Sequence, residues 1–497
     1  MCRLCDSNQG HHQLVLHIEI KFLSANYNTL MSKKIGMFWL RNDFRIRKNN
    51  GLAEATKNHD QVVVFYLYKK LTYNNQEAQK WWLSKSLINF QKKLNDYNIN
   101  LQIIKTDSFK LFFDKLVKKK DISIYWNKVY EPDYLKFDEY LIKDLRIKNI
   151  PFKIFKGNTL NEIDEVKKDD GTPFKVFTPF WRKAEKYYLE KIPPKEKILK
   201  KCLRKKNYFQ SCINTEEILP KKNWFKNFEK IWSPDEESAL RELKIFIKNR
   251  IVNYSDDRNF PNKIGTSKLS PFIKFGQIHV ETIWDECLSA KNKRIGTSKF
   301  LAEIGWREFN HTLINHFPHM LKNNYSKKFD NFPWVKNVKF LSAWKKGLTG
   351  YPIVDAGMRE LYSTGWMHNR VRMIVGSFLV KHLLINWKEG EKYFKNCLVD
   401  YCEASNVGGW QWVAGSGADA APYFRIFNPI LQGEKFDKEG EYVKKWIPEL
   451  KHISKKYIHK PWELTNEKNF KLGRDYPFPL VKHEEARKKA LSAFKQI

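Results

Sequence analysis

The pattern that most constrains this chain is a change of hydrophobic period near residue 235. Before it, short apolar runs alternate with helical spacing. Residues 36–40, 62–67, 101–104, 122–126 and 152–155 read as five buried strands, with helical spacing over 80–96, 109–119 and 134–147. Apolar strands joined by helices belong to parallel sheets that are covered on both faces. The expectation is an α/β domain with a doubly wound parallel sheet over residues 34–160. From about Pro234 strand patterns nearly vanish and helical patterns take over, which predicts an all-α domain over 236–497. Residues 161–235 mix Pro, Lys and Gly without sustained periodicity and read as an interdomain linker. The first strand is followed by Arg41-Asn42-Asp43-Phe44-Arg45 rather than by GxGxxG, so dinucleotide binding of the Rossmann kind is not expected.

Composition narrows the class only a little. Lys and Arg number 90 against 55 Asp and Glu, a formal charge of +35. A field of that sign attracts polyanions and speeds encounter with them, while saying nothing about fold. A Lys/Asn/Ile coding bias would produce the same excess, so charge alone is weak support for a nucleic-acid partner. The seven Cys, at 2, 5, 202, 212, 287, 397 and 402, have no disulfide-framework or metal-ligand spacing across the chain. Reduced thiols and a cytoplasmic location fit them. Cys2 and Cys5 with His11 and His12 imitate a metal site, but they lie in a leader, residues 1–33, that is expected to be non-functional. It ends in Met31-Ser32-Lys33, a second candidate start, and lacks the apolar run of a signal peptide. No metal, no membrane span and a monomeric chain are expected.

Several clusters of residue types carry chemistry. Eight of the 17 Trp fall between Trp284 and Trp412, either an aromatic core or a site that uses indoles for stacking and electron transfer. Tyr254 precedes Thr266-Ser267-Lys268-Leu269-Ser270, where small hydroxyl residues before a helical run can leave backbone N–H groups free for an anion. Glu303 and Trp306 stand at i and i+3, so a carboxylate and an indole share one helical face. Asn369, Arg372 and Met373 likewise share a face, combining an uncharged donor–acceptor with an adaptable apolar group. Read singly, each of these is ordinary amphipathic structure.

The words in which they occur are more specific. Gly365-Trp366-Met367-His368-Asn369-Arg370, Asn406-Val407-Gly408-Gly409-Trp410-Gln411-Trp412 and Ala421-Pro422-Tyr423-Phe424-Arg425-Ile426-Phe427-Asn428-Pro429 resemble the flavin-binding domain of DNA photolyases and cryptochromes. The resemblance runs from about Lys34 to the C-terminus and is nearest to bacterial class I cyclobutane pyrimidine dimer photolyases. It implies FAD as cofactor, DNA containing such dimers as partner, and light-driven splitting of the dimer by an electron from reduced FAD. The alternative it leaves is a cryptochrome-type blue-light photoreceptor, and a non-flavin nucleic-acid-binding helical protein ranks below both.

The same resemblance assigns roles. Tyr254, Thr266, Ser267, Lys268, Leu269 and Ser270 would hold the FAD diphosphate, and Arg307, Arg372, Asp400, Cys402 and Asn406 would surround the flavin. Cys402 stands where the family usually has a second Asp. Asn406 would face flavin N5, where plant-type cryptochromes carry Asp. Glu303, Asn369, Met373 and Asn406 would form the catalytic pocket, with Trp306 and Trp412 packing on opposite sides of the lesion. Asn369 stands where (6-4) photolyases carry His, which favours cyclobutane dimers. Arg258, Glu303, Trp306, Asn369, Arg370 and Trp412 would contact DNA, and Trp410, Trp387 and Trp334 match the family's electron-transfer chain. His368 reads as a packed structural residue. Tyr130-Glu131-Pro132-Asp133-Tyr134 departs from the folate-binding pattern, so a second antenna chromophore, folate or deazaflavin, stays open.

Overall fold

The structure, a computed structural model, describes residues 34–191, 196–289, 294–420, 424–464 and 470–497. The leader with Cys2, Cys5, His11 and His12 lies outside the described residues. Five strands, β1 (Ile35–Leu40), β2 (Val62–Tyr68), β3 (Asn100–Lys105), β4 (Ile122–Asn127) and β5 (Phe152–Phe155), form one sheet in the order β3-β2-β1-β4-β5. Every neighbouring pair is parallel, with Phe38 opposite both Val64 and Tyr125. The helices between them are α1 (Asn50–Asn58), α2 (Glu77–Asn95), α3 (Phe109–Leu116) and α4 (Pro132–Ile147). The sequence reading passed over α1, whose Asn49-Asn50-Gly51 start looks like a turn. The Asn49 side chain caps it by accepting from the Leu52 N–H, which offsets the poor helix formers at its head.

Alternation along the strands divides the interior into two cores. Met37, Trp39, Val63, Phe65 and Leu67 face α3 and α4 in a core confined to the α/β domain. Phe38, Leu40, Val62, Val64 and Tyr66 face the other way and join a core that continues into the helical domain. Helix α2 makes the junction. Trp81 and Trp82 are both buried and pack edge-on against Phe228 and Phe272, and the Trp82 Nε1–H donates to Gln277 Oε1 at 3.1 Å. The loop after β1 is the second tie. The buried Arg45 guanidinium donates to the Gly276 carbonyl at 2.9 Å. Gly276 has φ +65°, and a Cβ there would sit 1.9 Å from the Asn42 carbonyl oxygen, so only glycine allows the two chains to approach this closely.

The stretch 161–235, expected to be a plain linker, contains a helix, α5 (Phe177–Glu190). Thr178-Pro179 suggests a break, but Pro179 falls in the first helical turn, where its missing N–H leaves no bond unmade. Further on, the chain runs along the edge strand β3, with the Ile213 N–H donating to the Ile103 carbonyl at 2.9 Å. The helical part begins with α6 (Glu236–Asn249), capped by Asp235. Its site-building helices are α7 (Arg294–His316), α8 (Pro352–Thr364), α9 (Asn369–Ser377), α10 (Trp387–Cys397) and α11 (Glu403–Ala414). Among the described residues no helix is long and apolar enough to cross a membrane.

Candidate active site

Helices α7, α9, α10 and α11 line a cavity of about 850 Å³, whose lining includes the exposed Asn369 and the partly exposed Arg258 and Glu303. A second cavity of about 270 Å³ adjoins it toward the α/β domain, and Arg307, Arg372, Asp400 and Cys402 line both. The larger one is of the size that takes a cofactor or a drug-sized ligand.

At the boundary sits a buried carboxylate. Asp400 Oδ2 accepts from Arg372 Nη2 at 2.8 Å and from the Ser270 hydroxyl at 2.6 Å. Its Oδ1 is buried and has no protein partner. Arg372 is itself oriented, its Nε–H donating to the Met367 carbonyl at 2.8 Å. A buried charge with one free oxygen suits a ligand that brings a donor, as a flavin's polar edge does. Thr266, Ser267 and Ser270 line the smaller cavity with Lys274, Arg307 and Arg372, so hydroxyls and positive charge meet where a diphosphate would be held. The local structure differs from the expected cap. The helix that begins at Ser270 has only five residues and no side-chain cap, and Ser267 Oγ instead accepts from the Leu269 N–H. The Leu269 side chain is buried in the core, and Lys268, at φ +53°, sets its ammonium over the Trp366 ring. Neither side chain lines either cavity, so these two positions serve the stretch through backbone shape. Tyr254 lines the smaller cavity and is buried against Phe246 and Phe300.

Asn406, on α11, has its amide direction set. Its Nδ2 donates to Glu391 Oε1 at 3.1 Å, and the Tyr401 hydroxyl donates to the same oxygen at 3.0 Å. With the NH₂ engaged, the amide oxygen is the group left to meet a donor. Glu391 carries no sequence signal, because it reads as one more acidic residue in a solvated helix. Cys402 lies beside it in the cavity wall, its Sγ 3.7 Å from His311 Nε2. Burial pushes this thiol up, but His311 and the Lys274 ammonium outweigh it and bring it down to about 6. The negative charge of the usual Asp is thus available from a thiolate.

The mouth holds the remaining expected residues. Glu303 is paired with the Arg258 guanidinium, and the two side chains are partly exposed. Burial works against the Arg258 charge, yet the Glu303 bond holds its pKa above the usual arginine value. Trp306 is half-buried and stacked on Phe177, with ring centroids 3.9 Å apart and planes 10° from parallel. Asn369 opens α9 and is exposed, and Met373 lies one turn along on the same wall. His368 caps α9 through its ring, Nδ1 accepting from the Arg370 N–H at 3.2 Å. Burial, with Arg370 and Arg372 nearby, lowers its pKa to about 3, so it is neutral. The Arg370 guanidinium lies over Phe436 at 4.5 Å and reaches Asn259. Arg307 donates to the Asn158 carbonyl at 2.7 Å, tying α7 to the α/β domain. Trp412 lines the cavity and donates through Nε1 to the Asp419 carbonyl at 3.1 Å.

Of the three expected electron carriers, Trp410 faces the cavity and packs on α10 at Gly390, where a Cβ would meet its ring at 2.1 Å. Trp387, one turn earlier on α10, is buried and donates to Asn324 at 2.9 Å. Trp334 is half-buried and packs against Phe332, with ring centroids 4.4 Å apart and planes tilted by 45°. Trp344, to which the sequence reading gave no role, lies 6.2 Å from Trp410. In the α/β domain Glu131 turns across the boundary to Lys274 at 2.7 Å, while Tyr134 packs against Phe109 under Arg41. Asp133 is exposed.

This geometry is that of a five-stranded parallel α/β fold followed by a helical region whose helices line a large cleft. The family model described as DNA photolyase matches residues 37–197, and that of the FAD-binding domain of DNA photolyase matches residues 300–496. The chain belongs to the DNA photolyase and cryptochrome family. It is 40% identical to the deoxyribodipyrimidine photo-lyase of Agrobacterium fabrum, over 92% of this chain and 97% of the relative. It is 32% identical to cryptochrome-2 of Arabidopsis thaliana, over 92% and 78%. Its fold matches the crystal structure of a bacterial class III photolyase from Agrobacterium tumefaciens with a TM-score of 0.87 at 39% identity, over 93% of this chain and 98% of that one. These similarities show the family without separating class I from class III. The FAD-binding domain is present.

Proposed function

We propose that this protein is a light-driven DNA-repair lyase, a deoxyribodipyrimidine photo-lyase that splits cyclobutane pyrimidine dimers flipped out of DNA. The observation that carries the reading is the cavity of about 850 Å³, whose mouth is walled by Glu303, Trp306, Asn369, Met373 and Trp412 and whose floor is Arg372, Asp400 and Asn406. The wall formed by these five combines stacking surface and uncharged polar groups with one carboxylate, Glu303, while Arg372 and Asp400 supply a buried ion pair. A photoreceptor on the same scaffold would have no use for a lesion-shaped mouth.

The Thr266 to Ser270 stretch, Tyr254, Arg307, Arg372, Asp400, Cys402 and Asn406 would hold FAD, which when bound and reduced would supply light-driven one-electron chemistry with no net redox change. The chain's own residues bind and orient. Arg258 and Arg370 meet backbone phosphates, and the overall positive charge raises the encounter rate. Flipping costs a few kcal/mol, least at a damaged step. Trp306 and Trp412 stack on opposite sides of the extruded dimer, while Asn369 and Met373 fill the remaining wall. Glu303, released from Arg258 as that side chain turns to phosphate, accepts a hydrogen bond from a pyrimidine edge. Asn406, its NH₂ engaged by Glu391, would leave its amide oxygen for a donor on the flavin. Trp410, Trp387 and Trp334 carry electrons inward when the cofactor is oxidised. The protein works as a monomer in the cytoplasm, and residues 1–33 take no part.

The test is a light-dependent assay with fully reduced enzyme on two oligonucleotides, one carrying a cyclobutane dimer and one a (6-4) photoproduct. The dimer is repaired. The (6-4) lesion is not, because Asn369 stands where that chemistry needs a proton-transferring His. Repair of the (6-4) substrate, or failure on the dimer, overturns the reading.

A further inference from the structure

The two aromatic walls of the mouth stand on different helices, Trp306 on α7 and Trp412 on α11, and a stacked ligand needs their separation held. Both are tied to one place on the linker helix α5. The first residue of α5, Phe177, lies flat on Trp306 at 3.9 Å and 10°, covering one face and leaving the other to the cavity. Behind it Trp181 continues the stack at 6.4 Å and 7°, and a Cβ on Gly305 would meet the Trp181 ring at 2.2 Å. Helix α5 has no side-chain cap of its own. An acceptor comes from the segment after α11, where Asp419 Oδ2 takes the Phe177 N–H at 3.4 Å. The carbonyl of the same Asp419 takes the Trp412 indole N–H at 3.1 Å. Asp419 holds this double position at φ +54°, in the left-handed region, and it lines the cavity. A carboxylate at a helix N-terminus is favoured electrostatically as well as by the bond.

We propose that Asp419 and Phe177 are positioning residues, a clasp that sets the spacing of Trp306 and Trp412 and so the fit of the dimer between them. The proposal rests on the repair reading for its ligand, but the clasp itself can be tested without DNA. Asp419→Gly is the informative variant. Glycine supports the left-handed backbone and keeps the carbonyl for Trp412, so only the bond to Phe177 is lost. Asp419→Asn retains an acceptor and tolerates the same φ. Phe177→Leu removes the ring but keeps apolar volume.

Fluorine NMR of the FAD-loaded protein labelled with 5-fluorotryptophan, with two signals assigned through Trp306→Phe and Trp412→Phe, reads the walls directly. Asp419→Gly shifts both signals, Phe177→Leu shifts that of Trp306, and Asp419→Asn shifts neither by much. In the dark, Asp419→Gly and Phe177→Leu each weaken binding of a dimer-containing oligonucleotide about five- to tenfold, the scale of one aromatic stacking contact. FAD content and affinity for the undamaged oligonucleotide stay unchanged, and Asp419→Asn binds like the parent. A Trp306 signal that stays in place in Asp419→Gly overturns the clasp, as does a parallel fall in both DNA affinities. A parent protein that binds damaged and undamaged DNA equally instead overturns the repair reading, and the NMR result then decides the clasp by itself.

Discussion

Arg372→Ala is expected to damage the fold as well as the cofactor site, and the structure sets the size of the effect. Asp400 is the partner left behind, with a side chain only 2% exposed. Of its two oxygens one has no protein partner, and the other would keep only the Ser270 hydroxyl at 2.6 Å. Removing one member of a buried ion pair costs about 3–5 kcal/mol, because the remaining charge stays buried without compensation. Arg372 is a quarter exposed, so water can enter the space it leaves, which places the expected loss near ~3 kcal/mol. At the ~2–4 °C per kcal/mol typical of large domains, that is a fall in melting temperature of about 6–12 °C. Release of flavin fluorescence on heating follows the transition, and the absorbance ratio at the flavin band gives the loading. Asp400→Asn removes the charge while keeping the shape, so the double variant should recover about 2 kcal/mol of the single loss through coupling. A single variant that melts within a degree of the parent with full FAD, or a double variant whose loss is the sum of both, would refute the argument.

Trp410→Phe is expected to abolish photoreduction of oxidised FAD while repair by chemically reduced enzyme stays near the parent level. A large repair defect in the pre-reduced variant contradicts the assignment. Cys402 in FAD-free protein should react with iodoacetamide along a pH curve centred at about 6, ionised and reactive above it, protonated and inert below it. Burial pushes Cys212 the other way, so it serves as an internal control that reacts only at higher pH. His311→Ala should move the Cys402 curve toward the ordinary thiol value of about 8.5, and an unmoved curve would mean that His311 does not hold the charge. Deletion of residues 1–30 should leave flavin content and repair intact, and loss of either would give the leader a function.

The fold was legible where local pattern and tertiary role coincide. Strands β1, β2 and β4 are buried along their whole length, and β1 and β2 read as unbroken apolar runs while β4 is interrupted only by Ser123 before it ends in Asn127. Helix α5 was not legible, because Pro179 and the Lys-rich flanks resemble a connection, although the face it buries, Phe177, Phe180, Trp181 and Ala184, falls at helical spacing. Helix α1 was hidden for a related reason: its cap is a side chain one residue upstream, and propensity reads Asn and Gly as a turn.

The site shows the same division at a finer scale. Residues lying close together in sequence, Glu303 with Trp306 and Asn369 with Arg372 and Met373, were placed by helical spacing and share one cavity. What spacing could not supply was the second layer, since each of its members comes from a distant segment. Glu391 fixes Asn406 from fifteen residues away, Lys274 and His311 set the charge on Cys402, and Asn158 holds Arg307 from the other domain. Arg258 and Glu303 were expected to face DNA separately, yet each satisfies the other in the free protein, because two partly buried opposite charges cannot wait unpaired. On the proposed repair reading, their separation is part of binding. In the proposed binding mode a substrate draws Arg258 to a phosphate while the pyrimidine takes the Glu303 carboxylate, so a contact that engages only the phosphate leaves Glu303 without compensation. The cost of parting the pair is met only when both new partners are present, and this favours a flipped base over bare backbone.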